Sequence, residues 1–110
     1  MKTLGKLNTL TSDKIESSAV SIGFECLDRE LFDPEKCYDK LAATGVKYAR
    51  CQTGWIRCEK QKGVYTFEWL DSVIDNLLRR GIQPWLDVSF GNPVYMNDMP
   101  NETAVGCVPL

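Results

Sequence analysis

Two copies of one helix-to-strand junction constrain the fold of this chain more than any other feature. The segments LAATGVKYAR and LLRRGIQPWL each pass from a helical pattern, through a glycine, into an apolar strand pattern, and the two glycines are Gly45 and Gly81. Glycine suits both positions because a helix commonly ends on a residue with a left-handed backbone. The repeat therefore predicts two successive strand–helix units.

Three strands and two helices follow from this pattern. Strands are predicted at 20–24, 46–51 and 82–88, where short apolar runs lean towards β structure. The first helix begins at Asp33-Pro34, because Asp caps free amides and Pro is tolerated in the first turn. The second helix is marked by helically spaced apolar residues at positions 70, 73, 74, 77 and 78. Alternating strands and helices predict a parallel sheet with right-handed crossovers.

The turn after the first strand favours a barrel over a doubly wound sheet. That turn, Glu25-Cys26-Leu27-Asp28-Arg29, lacks the glycine-rich phosphate loop of a doubly wound sheet. A (β/α)8 barrel takes about 250 residues, so 110 residues hold about three of its strands. The predicted fold class is α/β, the N-terminal segment (about three βα units) of a TIM (β/α)8 barrel. Residues 1–18 are predicted to be a polar lead-in, and 19–110 the partial barrel domain.

Composition and charge limit the classes of partner and the cellular compartment that we expect for this chain. With 44% apolar and 25% charged residues the chain is expected to be globular, and its net charge is −2. Lysines and arginines are scattered, so neither nucleic acid nor a membrane surface is expected as a partner. The N-terminus lacks the apolar region of a secretory signal, and we expect the chain in the cytoplasm.

The five cysteines predict free thiols rather than a metal or redox site. Their number is odd, no two form a CxxC pair, and the sequence has no histidine. Zinc sites usually draw on closely spaced Cys or His pairs. We therefore expect no metal and no cofactor, and a small thiol protein is the least favoured reading.

The stretch from the second strand onward carries a resemblance to a known family. The residues that carry it are, in order, Arg50, Trp55, Glu59, Gly63-Val64-Tyr65, Trp69-Leu70-Asp71, Gly81-Ile82 and Gly91-Asn92-Pro93. This pattern resembles the second and third βα units of clan A glycoside hydrolases, most closely family 39, the β-xylosidase and α-L-iduronidase family. The likeness covers residues 20 to about 97.

The resemblance implies a retaining glycoside hydrolase of xylosidase-like activity. Two glutamates about 5–5.5 Å apart would flank the scissile bond, one in an Asn-Glu pair after the fourth strand and one on the seventh. Both strands lie beyond this part of a barrel, so the isolated chain is expected to be inactive and no catalytic residue is assigned. Asn101-Glu102 is not the acid/base pair, because no strand leads into its Pro- and Gly-bounded loop.

Five residues are candidates for binding a carbohydrate substrate, and each also has an explanation without function. Arg50 ends a strand and would support the nucleophile, or form a surface ion pair. Trp55 would stack on a sugar ring, or cover the barrel rim. Glu59 would accept hydrogen bonds from sugar hydroxyls, or stabilise its own loop. The last two candidates, Asn92 and Tyr95, follow the third strand, where Gly-Asn-Pro is also an ordinary turn signal.

Three further residues carry side chains that could bind a sugar, but other roles are favoured for two of them. Glu25, at the end of the first strand, is a weaker candidate for binding hydroxyl groups. Trp69 and Trp85 are predicted to belong to the core.

Two hypotheses from different classes remain open. The first is the N-terminal fragment of a glycoside hydrolase barrel, and the second is a stand-alone, non-catalytic α/β module that binds carbohydrate or self-associates. An isolated barrel fragment leaves sheet edges and an apolar face uncovered, so self-association of the isolated chain is also predicted.

Overall fold

A computed structural model describes residues 2–6, 8–88 and 91–96 of the chain. Its elements are β1 (Ser21–Phe24), α1 (Tyr38–Ala43), β2 (Tyr48–Gln52), α2 (Trp55–Cys58), α3 (Glu68–Arg79) and β3 (Gln83–Asp87). Short 3₁₀ turns lie at Ser12–Lys14, Pro34–Lys36 and Pro93–Tyr95. Apart from α2, the elements occur in the order that the sequence pattern predicts.

The three strands form a parallel sheet in the order β1, β2, β3. Gly23 pairs with Arg50 and Arg50 with Trp85, so these residues form one row across the sheet. Parallel neighbours require crossover connections, and α1 and α3 supply them. The carboxyl ends of all three strands consequently lie at one edge of the sheet.

Both long crossovers pack on the same face of the sheet. Ala49 and Cys51 of β2 are fully buried on this face. They belong to a core cluster with Tyr38 of α1 and with Val73 and Leu77 of α3. Helices on one face only are expected for a segment of a barrel, whereas a doubly wound sheet has helices on both faces.

The opposite face of the sheet is open. Tyr48 and Trp85 point away from the helices and are 42% and 48% exposed. None of the described residues packs over this face as a layer. In a closed barrel it would face the interior and be filled by side chains from the other strands.

The helix ends confirm the local rules that predicted them. Asp33 accepts a hydrogen bond from the Glu35 amide at 3.1 Å and precedes Pro34, although the first turn is 3₁₀ rather than α. Gly45 and Gly81 have φ of 75° and 74°, the left-handed conformation expected after a helix.

The lead-in segment packs against both of these junctions. The Ser12 hydroxyl donates to the Ala42 carbonyl at 3.2 Å, and the Lys47 ammonium donates to the Ser12 carbonyl at 2.9 Å. A Cβ on Gly45 would lie 2.6 Å from Ile15, and one on Gly81 would lie 2.7 Å from Asp13. Residues 12–15 therefore close the amino end of the sheet.

Within the described ranges, the longest helix is α3 with 12 residues. No helix there has the length and apolar character needed to cross a membrane.

We expect the 110-residue chain, produced alone, to self-associate through its open sheet face, because exposed apolar faces and strand edges promote association. Sedimentation velocity of the wild type should show species larger than a monomer, and Trp85→Lys should shift the distribution towards the monomer. Leu78→Lys is the matched control, since Leu78 is 47% exposed but lies on α3. A monodisperse monomer with strongly protected amides in all three strands would contradict the prediction.

Candidate functional site

The connection after β2 is built by one short helix and one tight turn. Gly54 begins it with φ of 54°, and α2 follows at once. An antiparallel bridge joins Gln61 to Val64, and the Thr66 amide donates to the Cys58 carbonyl at 2.8 Å. This connection reaches the carboxyl edge of the sheet, where barrel enzymes carry their active sites.

Glu59 lies at the centre of this connection and is completely buried. Its Oε1 accepts hydrogen bonds from the Gly63 amide at 2.6 Å and from the Tyr95 hydroxyl at 2.5 Å. Its Oε2 accepts from the Trp55 indole nitrogen at 2.5 Å. The carboxylate therefore joins the connection after β2 to the segment after β3, and both of its oxygens are engaged within the chain.

Asn92 makes a second link between the same two segments. It is also completely buried, and its amide nitrogen donates to the Glu59 carbonyl at 2.8 Å. Its Oδ1 accepts from the Val94 amide at 3.1 Å, which caps the 3₁₀ turn at Pro93–Tyr95. Asn92 thus has the turn role that was the alternative to sugar binding.

Trp55 and Tyr95 form a stacked aromatic pair above Glu59. Their ring centroids are 5.0 Å apart and their planes are inclined by 28°. Both side chains are only partly buried. The Lys62 ammonium lies 4.8 Å from the Tyr95 centroid, a cation–π arrangement. We call Trp55, Glu59, Asn92 and Tyr95 the rim cluster.

The hydrogen bonds of the rim cluster change the acidity of two of its members. Burial alone would raise the pKa of the Glu59 carboxyl, but the bonds from Tyr95, Gly63 and Trp55 outweigh burial and hold this pKa below its usual value. The bond that Tyr95 donates to Glu59 stabilises the neutral phenol and raises the pKa of Tyr95 to about 12. Glu59 is accordingly an anion at neutral pH, suited to accepting hydrogen bonds.

Arg50 lies in a separate group on the open face of the sheet. Its guanidinium binds Glu25 Oε1 through Nε at 2.6 Å and through Nη2 at 2.5 Å. The same guanidinium lies 5.9 Å from the Trp85 ring centroid. With Ser21 these residues line an open cavity of about 280 Å³. The second oxygen of Glu25 has no hydrogen-bond partner.

The prediction that Trp85 is a core residue is wrong for this chain. The side chain is 48% exposed because nothing in the described ranges covers the face on which it lies. Trp69 is partly buried and packs against the core cluster. Trp85 alternates with Leu86 along β3, but this alternation alone does not say which face of the sheet the helices cover.

Arg57 was not singled out from the sequence, yet it joins the segments after β1 and β2. It donates to the Leu27 carbonyl, pairs with Glu30 at 3.1 Å, and lies 3.9 Å from the Trp69 ring centroid. Its position on α2 could not be anticipated, because the four-residue helix shows no periodic pattern.

The five candidates thus divide into two groups. Trp55, Glu59, Asn92 and Tyr95 come together, and Arg50 stands with Glu25 on the sheet. Glu59 and Asn92 are buried and hydrogen-bonded within the chain, so in this structure they shape the rim. Arg50, Trp55 and Tyr95 keep exposed surface.

The described cysteines, Cys26, Cys37, Cys51 and Cys58, are all free. Among the residues placed by the structure, no three Cys, Asp or Glu side chains gather as a cation site. Burial raises the pKa of Cys51 to about 12 and also raises that of Cys58. Cys107, like Asn101 and Glu102, lies outside the described residues.

The sequence of this chain matches one family of known proteins. The model of glycoside hydrolase family 42, described as beta-galactosidase, matches residues 27–98. The chain belongs to this family. Family 42 is a clan A glycoside hydrolase family, so the resemblance to the clan is confirmed, but the match does not select family 39. The fold is consistent with a fragment of the family's TIM barrel.

Neither curated proteins nor solved structures give a significant match to the chain. The family match covers all five candidate residues.

We expect Gly54→Ala to destabilise the chain by about 3 kcal/mol or more. A left-handed backbone costs a non-glycine residue about 1–2 kcal/mol, and overpacking adds about 1–3 kcal/mol. The new Cβ would lie 2.0 Å from the Cβ of Asp28. Gly63→Ala is the matched control, because Gly63 has φ of 80° but open space around it. Urea unfolding measures both, and equal losses would contradict the proposed clash.

A thiol titration should find five reactive thiols in the denatured, unreduced chain. In the native chain, Cys51 and Cys58 should react more slowly than Cys26 and Cys37, because they are buried and their raised pKa lowers the thiolate fraction. Fewer than five thiols, or stoichiometric zinc, would contradict this.

Proposed function

We propose that this chain supplies the first three βα units of a retaining β-glycosidase barrel and shapes its sugar pocket. The observation that carries the proposal is the family 42 match over residues 27–98, which includes the carboxyl ends of β2 and β3. Residues there have the chemistry of a sugar site: an arginine–glutamate pair, and aromatic rings on which sugar C–H groups pack.

Cleavage itself is assigned to residues beyond these three units. Retaining hydrolysis needs one carboxyl group as acid/base and another as nucleophile, about 5–5.5 Å apart. Glu59 is a poor candidate for either, because it is completely buried and its oxygens are bonded within the chain. Glu25 is tied to Arg50. In this proposal Arg50, Trp55 and Tyr95 contact the carbohydrate, while Glu59 and Asn92 hold the rim.

Two sugars are candidates for the substrate of this barrel. The family description favours a β-galactoside. The motif resemblance to family 39 favours a β-xyloside, and both substrates belong in the test. We also place the chain in the cytoplasm, on the ground that free cysteines suit a reducing compartment.

The open sheet face supports a second candidate function. Tyr48 and Trp85 are exposed there beside Arg50, as in a module that binds carbohydrate or a second copy of itself. The gene sequence after the codon for Leu110 separates the two candidates. An Asn-Glu strand end within about 50 residues favours the enzyme, since a βα unit takes about 30 residues. A stop codon there favours the module.

We expect the 110-residue chain alone to hydrolyse neither aryl β-galactosides nor aryl β-xylosides above background, because this proposal assigns the two reacting carboxylates to later strands of the barrel. Extending the chain through the later strands should produce turnover on at least one of them. Release of nitrophenol measures both. Turnover by the short chain that survives repurification and disappears in Glu59→Gln would show that the chain carries its own catalytic acid, against this proposal.

A further inference from the structure

The rim cluster depends on a single carboxylate. Glu59 receives hydrogen bonds from three donors on three segments: Trp55 on α2, Gly63 in the bridge turn and Tyr95 after β3. Only the ionised carboxylate is a pure acceptor, whereas a protonated acid or an amide brings at least one donor of its own. With all three partners donating, the bonds therefore favour the charged form.

The geometry points to Glu59 as a positioning residue that acts through Trp55 on the sugar, an inference that rests on the function proposed above. The bond to Oε2 fixes the orientation of the indole ring of Trp55. Tyr95 stacks on the same ring and is itself held by Oε1. One charged group thus fixes the orientation of both rings of the aromatic pair.

The ring face of this pair that stays open for stacking belongs to Trp55, while Tyr95 keeps some other exposed surface. The hydroxyl of Tyr95 donates its hydrogen bond to Glu59, and the Lys62 ammonium lies over the Tyr95 ring. Trp55 instead lines an apolar cavity of about 420 Å³ together with Tyr65 and Phe67. Since sugar C–H groups pack on aromatic faces, the ligand recognised through Glu59 is a pyranoside laid against Trp55.

The indole N–H signals of the chain test this directly, because it has three tryptophans and each gives one signal in a ¹H–¹⁵N spectrum. The Trp55 signal, assigned with Trp55→Phe, should lie downfield owing to its bond to the carboxylate. It should move on titration with methyl β-galactoside or methyl β-xyloside. Glu59→Gln should shift it upfield and weaken binding by about threefold to tenfold. Glu16→Gln, which alters an exposed glutamate of the lead-in, should change neither.

A pH titration of the wild type separates positioning from a merely structural role. Among the described residues, the titratable side chains that act on Glu59 are Tyr95 and Tyr65, and the Lys62 ammonium lies over the Tyr95 ring. Tyrosine and lysine do not change charge in acid. Because the pKa of Glu59 is lowered, its bonds persist above the usual glutamate pKa and are lost as the pH falls through the lowered value. The Trp55 signal and the glycoside affinity should be lost together in that range, and Glu59→Gln should show no such step.

The outcomes distinguish failure of the proposed function from failure of the positioning role. No glycoside binding by the wild type overturns the proposed function and this inference with it. Binding by the wild type that is unchanged in Glu59→Gln, although the Trp55 signal has moved, overturns the positioning role alone. If Glu59→Gln does not fold, the wild-type titration decides, and an affinity that stays constant while the Trp55 signal titrates overturns the inference.

Discussion

The parallel pairing of β2 with both of its neighbours determines where every other group of this chain lies. Parallel strands cannot be joined by tight turns, so each connection must cross back over the sheet, and the helices α1 and α3 make these crossings on one face. That face becomes the core, which is why β2 carries the small residues Ala49 and Cys51 beneath the helices. All strands then end at one edge, and the polar and aromatic residues that follow β2 and β3 meet there.

Glu59 shows how a buried charge organises this edge. Burial of a carboxylate without partners is strongly unfavourable, whereas three hydrogen bonds to the ionised form compensate for the lost water. The side-chain amide of Asn92 also donates a hydrogen bond to the backbone carbonyl of Glu59. The result is a hydrogen-bonded support in which Glu59 and Asn92 are buried and the aromatic rings are partly exposed. In the function proposed above, this support would hold the wall of the sugar pocket.

Much of the fold could be read from the sequence, because its signals are local. The repeated glycine junctions predicted the three strands within one or two residues of their observed bounds, and the apolar spacing predicted α3. The first helix was expected from Asp33-Pro34, but α1 begins only at Tyr38, after a 3₁₀ turn. The site was harder to predict. The sequence placed Arg50, Trp55, Glu59, Asn92 and Tyr95 near the strand ends, but burial decides which of them reach outward, and burial depends on long-range packing. Trp85 shows the same limit, since alternation along β3 reveals two faces and not which one the helices cover.

The contact of residues 12–15 with both glycine junctions links two places that look independent in the sequence. Backbone and side-chain atoms of this short segment occupy the space that a Cβ would need at Gly45 and at Gly81. The two repeats therefore share one neighbour, and a change in the length of the lead-in between Ser12 and the start of β1 alters the surroundings of both at once. Because a single insertion here would disturb two βα units, the amino edge should tolerate changes of length less well than a connection that contacts only one junction.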